Sequence, residues 1–207
     1  ALEVLKERYT RAVALCRKLK MSCSEVRGAE RLYWVGRHVA DDAATLAMIL
    51  RTNGLPCLQY LYLDDNGFHD AAMQALCEGL GRGAAPSLIS LSLASNSLGP
   101  AGAEALAAAL GRGAMPKLER LRIGDNPIGD LGVAALVAPL RKMPALQYVD
   151  LACCDVGDEG VASLVANLGK DDFKALKQLE LEGNLITDVG CAKLIAALKA
   201  GALPALV

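Results

Sequence analysis

The chain has 207 residues, with 22 Lys and Arg against 23 Asp and Glu and a formal net charge of −1. Binding to nucleic acid is dominated by excess Lys and Arg neutralising phosphates, so this balance argues against it and leaves a protein partner or none. Apolar residues make up 53% of the chain but aromatics only 4%, so a core must be assembled from Leu, Ala, Val and Ile in regular layers, as in a repeat array.

Apolar stretches such as 43–50 and 105–110 are far shorter than the roughly 20 residues that span a bilayer. No charged, apolar, small-residue signal pattern opens the chain, and the expectation is a soluble, cytoplasmic protein without a membrane span. The seven Cys (16, 23, 57, 77, 153, 154 and 191) form an odd set without Cys-x-x-Cys spacing. They read as reduced thiols, mostly buried as small hydrophobes, and not as a zinc site.

From the N-terminus, Leu2, Leu5, Tyr9, Val13, Cys16 and Leu19 recur at three- and four-residue intervals, the period of an amphipathic helix. Residues 1–28 are therefore expected to form a helix that caps the apolar edge of a repeat array. It is also basic: through residue 31 there are eight Lys or Arg (6, 8, 11, 17, 18, 20, 27, 31) against four Glu (3, 7, 25, 30). A basic amphipathic helix can dock on an acidic groove or a membrane surface, but a solvated polar face over a capping helix is the simpler reading.

A period then takes over. Leu58, Leu88, Leu118, Leu146, Leu176 and Leu206 fall at intervals of 30, 30, 28, 30 and 30, the signature of stacked supersecondary units. Each of the first five opens a shared pattern: Leu58-Leu61-Leu63-Asn66, Leu88-Leu91-Leu93-Asn96, Leu118-Leu121-Ile123-Asn126, Leu146-Val149-Leu151-Cys154 and Leu176-Leu179-Leu181-Asn184. The alternation at Leu61 and Leu63 predicts a half-buried strand, and Met73, Leu76 and Leu80 share one face of a following helix. Asp70, Asp130, Asp158 and Asp188 stand where each can cap its own helix, and Pro100 suits a first helical position. Gly81 and Gly111 are plausible helix stops. Gly102, Gly132, Gly160 and Gly190 track the period and suggest close packing. Shifting the first clear unit back by 29 residues aligns Ala29, Leu32, Trp34, Arg37, Val39 and Asp41 with it, so residues 29–57 read as a degenerate unit. Residues 58–207 then hold five repeats and end at the start of a sixth strand, at Leu206 and Val207.

This pattern resembles the leucine-rich repeat, and its length resembles the ribonuclease-inhibitor-like subclass, which includes the Ran GTPase-activating protein and the sensor domains of nucleotide-binding immune receptors. The resemblance implies an α/β, right-handed horseshoe solenoid with a parallel sheet on the concave face and helices on the convex face. It also implies that Asn66, Asn96, Asn126 and Asn184 bond backbone groups in a ladder between repeats, with Cys154 replacing one rung and Arg37 standing at another.

In this register the outward strand positions gather Tyr33, Tyr60, Tyr62, Asp64, Arg120, Arg122, Tyr148, Asp150, Glu180 and Glu182. Four of the chain's five tyrosines land there, and Tyr and Arg are the types most enriched in binding hot spots. β propensity alone would also favour them. The sequence thus points to a non-enzymatic scaffold that binds a protein on its concave face, free-standing or as a structural component of a larger ciliary or immune-receptor assembly. Fold analogy alone raises GTPase activation of the Ran-directed type as an alternative. His38 and His69 lack a nucleophile at a local spacing, the carboxylate pairs Asp64-Asp65 and Asp171-Asp172 lack further oxygen donors for a cation, and no cofactor motif is evident.

Overall fold

A computed structural model describes residues 2–52, 54–169 and 171–206. Two helices, α1 (Leu2–Lys18) and α2 (Cys23–Gly28), precede β1 (Arg31–Tyr33), a 3-10 turn at Val39–Asp42 and α3 (Ala43–Arg51). The unit then recurs as β2 (Tyr60–Tyr62) with α4 (Asp70–Glu78), β3 (Ser90–Ser92) with α5 (Pro100–Gly111), and β4 (Arg120–Arg122) with α6 (Gly129–Arg141). It closes with β5 (Tyr148–Asp150) and α7 (Asp158–Val165), then β6 (Gln178–Glu180) and α8 (Asp188–Lys199). Every strand pairs in parallel with its sequence neighbours, in the order β1-β2-β3-β4-β5-β6, and from α3 onward each helix packs on the next. The molecule is an open α/β solenoid, one layer of sheet against one layer of helices.

The core lies between these layers. Leu32, Leu61, Leu91, Leu121, Val149 and Leu179 stand in one row across the sheet, and the first five are buried in one core with Met73, Leu76, Leu106, Val133, Leu136 and Leu164 from the helices. Trp34 and Val39 are buried in the first unit as Leu63 and Phe68 are in the second. At the other end the burial fades, leaving Leu179 and Leu181 half-buried and Leu185 and Val189 exposed.

Two ladders tie the repeats together. Asn66 accepts at Oδ1 from the amides of Arg37 and Val39, and Asn96 accepts likewise from Asn66 and Phe68. Asn126 accepts from Leu98, and Asn184 from Cys154 and Val156. Each Asn also donates to carbonyls of its own and the preceding repeat, as Asn126 does to Ile123 and Leu93. At Arg37 it is the backbone amide that enters the ladder. Cys154 donates its thiol to the carbonyls of Ile123 and Ala152.

The second ladder corrects the expectation that each Asp caps its own helix. Asp70 accepts from the amides of Gly99 and Gly102 at the start of α5, Asp130 from Gly157 and Gly160 at the start of α7, and Asp158 from Thr187 and Gly190 at the start of α8. Each carboxylate lies beside the next helix's first turn because the helices stack with their N-termini aligned. In the first unit Asp41 stands at the corresponding position but makes no such bond among the described residues; His69 accepts from Ala72 to cap α4, and the neighbouring Asp42 accepts from Lys18. The helix stops also differ from expectation. In the Gly-Arg-Gly turns the left-handed backbone falls on the second glycine, Gly83 and Gly113, not on Gly81 and Gly111.

At the N-terminus α1 packs on α2 and α3, and Leu15, Cys16 and Leu19, at and just after its C-terminal end, are buried. Leu2, Leu5 and Tyr9 stay exposed, and Leu5 and Tyr9 flank an open groove whose other side is formed by Cys23, Val26, Met48 and Ile49 of α2 and α3. At the C-terminus, Leu206 bonds back to Leu203 in a turn and does not enter a strand, and Val207 lies outside the described residues.

Candidate protein-binding groove

The register places the outward side chains in two rows. One runs Arg31, Tyr60, Ser90, Arg120, Tyr148, Gln178; the other runs Tyr33, Tyr62, Ser92, Arg122, Asp150, Glu180. Neighbouring strands in a sheet are about 4.8 Å apart, so large side chains in adjacent repeats meet face to face. Tyr33 and Tyr62 stack with ring centroids 4.7 Å apart and planes 5° from parallel. The Arg31 guanidinium lies 4.5 Å from the centre of the Tyr60 ring, a cation–π contact. The Tyr and Arg residues at this end are therefore a preorganised surface and not independent side chains.

Between them the sheet is notched. β3 contributes only Ser90 and Ser92, both buried, while β2 and β4 raise Tyr60, Tyr62, Arg120 and Arg122 on either side. Ser90, Tyr60, Tyr62, Arg120, Arg122 and Tyr148 line a groove of about 490 Å³, with Ile89 and Glu119 at one end. Ser90 and Ser92 carry no hot-spot signature of their own. Their signal in the sequence is two small side chains in register between large ones.

The acidic members of the surface behave differently. Asp64 accepts a hydrogen bond from Ser92. Asp150 is only 8% exposed; it accepts from the Ala152 amide at 3.1 Å and faces Arg122 Nε at 3.4 Å. Both therefore brace the surface from within. Glu180 is half-buried and Glu182 exposed at the far end, away from the groove. The Tyr148 hydroxyl is pushed to higher pKa, first by burial and then by Asp150 and Glu180, so it stays a protonated donor. Among the described residues no three His, Cys, Asp or Glu side chains are grouped to hold a metal, and no helix is long and apolar enough to cross a membrane.

The repeat that carries this groove matches a known family. The model of the leucine-rich repeat aligns with residues 54–77, 84–107, 114–137 and 142–165, the four units built on β2 to β5. This chain is a leucine-rich-repeat protein. Among solved structures, leiomodin-1 actin-binding site 2 is similar at 17% identity and a TM-score of 0.54, over 65% of this chain and 77% of that one. An internalin from Listeria monocytogenes aligns at 21% identity and a TM-score of 0.40, over 73% of this chain and 41% of that one. Rad7 in complex with Elc1 from yeast aligns at 19% and 0.40, over 76% and 43%. The likeness to leiomodin-1 is one of fold. A search of curated proteins by sequence finds no match. In this leucine-rich-repeat protein the groove falls on β2 to β5, inside the matched units.

Proposed function

We propose that this leucine-rich-repeat protein is a non-enzymatic interaction module that captures a protein partner on the concave sheet. The observation that carries the reading is the groove itself: a stacked Tyr33–Tyr62 pair and the Arg31–Tyr60 contact on one side, Arg120 and Arg122 on the other, and a buried serine floor between. Aromatic and Arg side chains held rigid before binding lose little entropy when a partner arrives. A repeat length of 28 to 30 residues supports the ribonuclease-inhibitor-like subclass, and free thiols at all seven cysteines fit a reducing cytoplasm. The solved neighbour described as an actin-binding site shares the fold, which supports a protein as the class of partner.

The test is affinity capture from the source cell with the full chain and with a Tyr60→Ala/Tyr62→Ala/Arg120→Ala variant. Circular dichroism and the thermal midpoint of the variant should stay close to those of the parent, since all three side chains lie on the surface of the sheet. Captured proteins should be lost. An unchanged set of partners would place binding elsewhere on the molecule.

A further inference from the structure

The polar groups that face the groove are unequal in kind. Arg120 makes no hydrogen bond or ion pair among the described residues, and Arg122 spends only Nε, on Asp150. The hydroxyls of Ser90, Tyr60, Tyr62 and Tyr148 likewise make no hydrogen bond among the described residues, whereas the carboxylates of Asp64 and Asp150 already have donors. Glu119, at one end, is the remaining acidic group, and it stands in the row before Arg120, beside Ile89. The unspent capacity of the groove is therefore donor capacity, concentrated in two planar guanidinium forks. Such forks match a carboxylate in bidentate geometry better than any neutral acceptor.

Shape narrows the occupant further. The walls stand on β2 and β4, two strand spacings or about 10 Å apart before their own side chains are counted. That admits one inserted side chain and not a second backbone. Resting on the reading that the concave face binds a protein, we infer that the groove takes a single Asp or Glu side chain from the partner. Its carboxylate lies between Arg120, Arg122 and the Ser90 hydroxyl, and its methylene carbons rest against the rings of Tyr60 and Tyr62. The partner thus presents an acidic anchor to β2–β4, and Glu180 and Glu182 at the far end of the sheet keep its acidic residues from shifting toward β6.

A random 12-residue peptide library displayed on phage and panned on the full chain tests this. The expected result is a family of peptides with Asp or Glu at one aligned position. Changing that residue to Asn or Gln, or Arg120→Ala in the protein, should weaken binding by roughly tenfold, the scale of a hot-spot truncation. Ser90→Trp, which fills the notch, should abolish it. Arg120→Glu serves as a second variant, because Arg120 is exposed and its replacement does not touch the core. Peptides that lose binding with Ser90→Trp but share no acidic position, that tolerate Arg120→Glu, or that bind only when the anchor is phosphoserine would overturn the carboxylate assignment while leaving a concave site in place. Peptides that bind the Ser90→Trp protein as well as the parent would overturn the concave site itself. A library that yields no enriched peptide also counts against the anchor.

Discussion

Asp158 and Gly190 belong to different repeats, and one oxygen of the Asp158 carboxylate accepts the Gly190 amide at 3.0 Å. The same bond joins Asp70 to Gly102 and Asp130 to Gly160, each at 2.9 Å. It explains why a glycine recurs with the period: a β-carbon at Gly102 would lie 2.7 Å from Asp70 Oδ1, and one at Gly160 would lie 2.6 Å from Asp130 Oδ1. Gly132 follows a unit with Pro100 at the Asp position, and there the near neighbours are Ile128 and Ala103.

Gly160→Ala is therefore expected to destabilise the fold by about 1–3 kcal/mol, the usual scale for forcing extra atoms into a packed site. Asp130→Ala alone should cost about 1 kcal/mol through loss of the cap. Because the two residues contend for one space, the double variant should fall short of the sum by at least about 0.5 kcal/mol. Urea denaturation of the four proteins measures this, and strict additivity would show that the carboxylate is not the obstacle.

The asparagine ladder predicts a larger effect. Asn66 and Asn126 are 2% and 1% exposed, so an Ala at either leaves buried amides and carbonyls without partners at about 1–3 kcal/mol for each group. A loss of about 2–4 kcal/mol is expected for Asn66→Ala, with Asn184→Ala costing less because Asn184 is only half-buried. Equal losses at the two positions would contradict burial as the cause.

Acid should loosen the array through its carboxylates. Hydrogen bonds from Thr187 hold the pKa of Asp158 below its ordinary 3.8, and those from Lys142 and the Gly169 amide do the same for Asp172. In the folded state both groups bind protons less readily than in the unfolded chain. Their contribution is thus complete above the ordinary value and is lost as the pH falls through the depressed folded values. The urea midpoint should fall from about pH 4 downward, and Asp158→Asn with Asp172→Asn should flatten that fall. An identical slope in the variant would remove these two residues from the account.

Thiol chemistry gives an independent check on the packing. Burial pushes Cys77 and Cys154 up to about 12 and Cys16 up to about 11, while Cys23, Cys57, Cys153 and Cys191 are exposed. Maleimide labelling of the native protein near pH 8 should modify only those exposed four. Cys153 should react slowest among them, because partial desolvation and then Asp125 disfavour its thiolate. Labelling of Cys77 or Cys154 without denaturant would show that the repeats open locally.

Much of the fold is legible in the chain because its cause is local and repeated. The spacing of Leu61, Leu63 and Asn66 predicts strand, turn and inter-repeat bonding, and the same offsets find β1 around Leu32 and Trp34. The Asp ladder was also written in the sequence, as Asp and Gly pairs 30 or 32 residues apart. A capping rule that looks only along one helix does not see it, since the partner lies in the next repeat.

The candidate groove was half legible. Period and alternation assign Tyr60, Tyr62, Arg120 and Arg122 to the outer face, since a parallel ladder without slips carries each residue to a known row. They do not show that Asp64 and Asp150 turn sideways to Ser92 and Arg122 of the neighbouring strands, or that Ser90 forms the floor of a groove.

The sequence by itself determined the repeat, the order of elements and the side on which each strand residue lies, because those follow from periodicity within one unit. Only the tertiary structure decided which charges are spent and which remain free to bind. Those pairings join residues about 30 positions apart, and they exist only once the repeats have stacked at a fixed spacing.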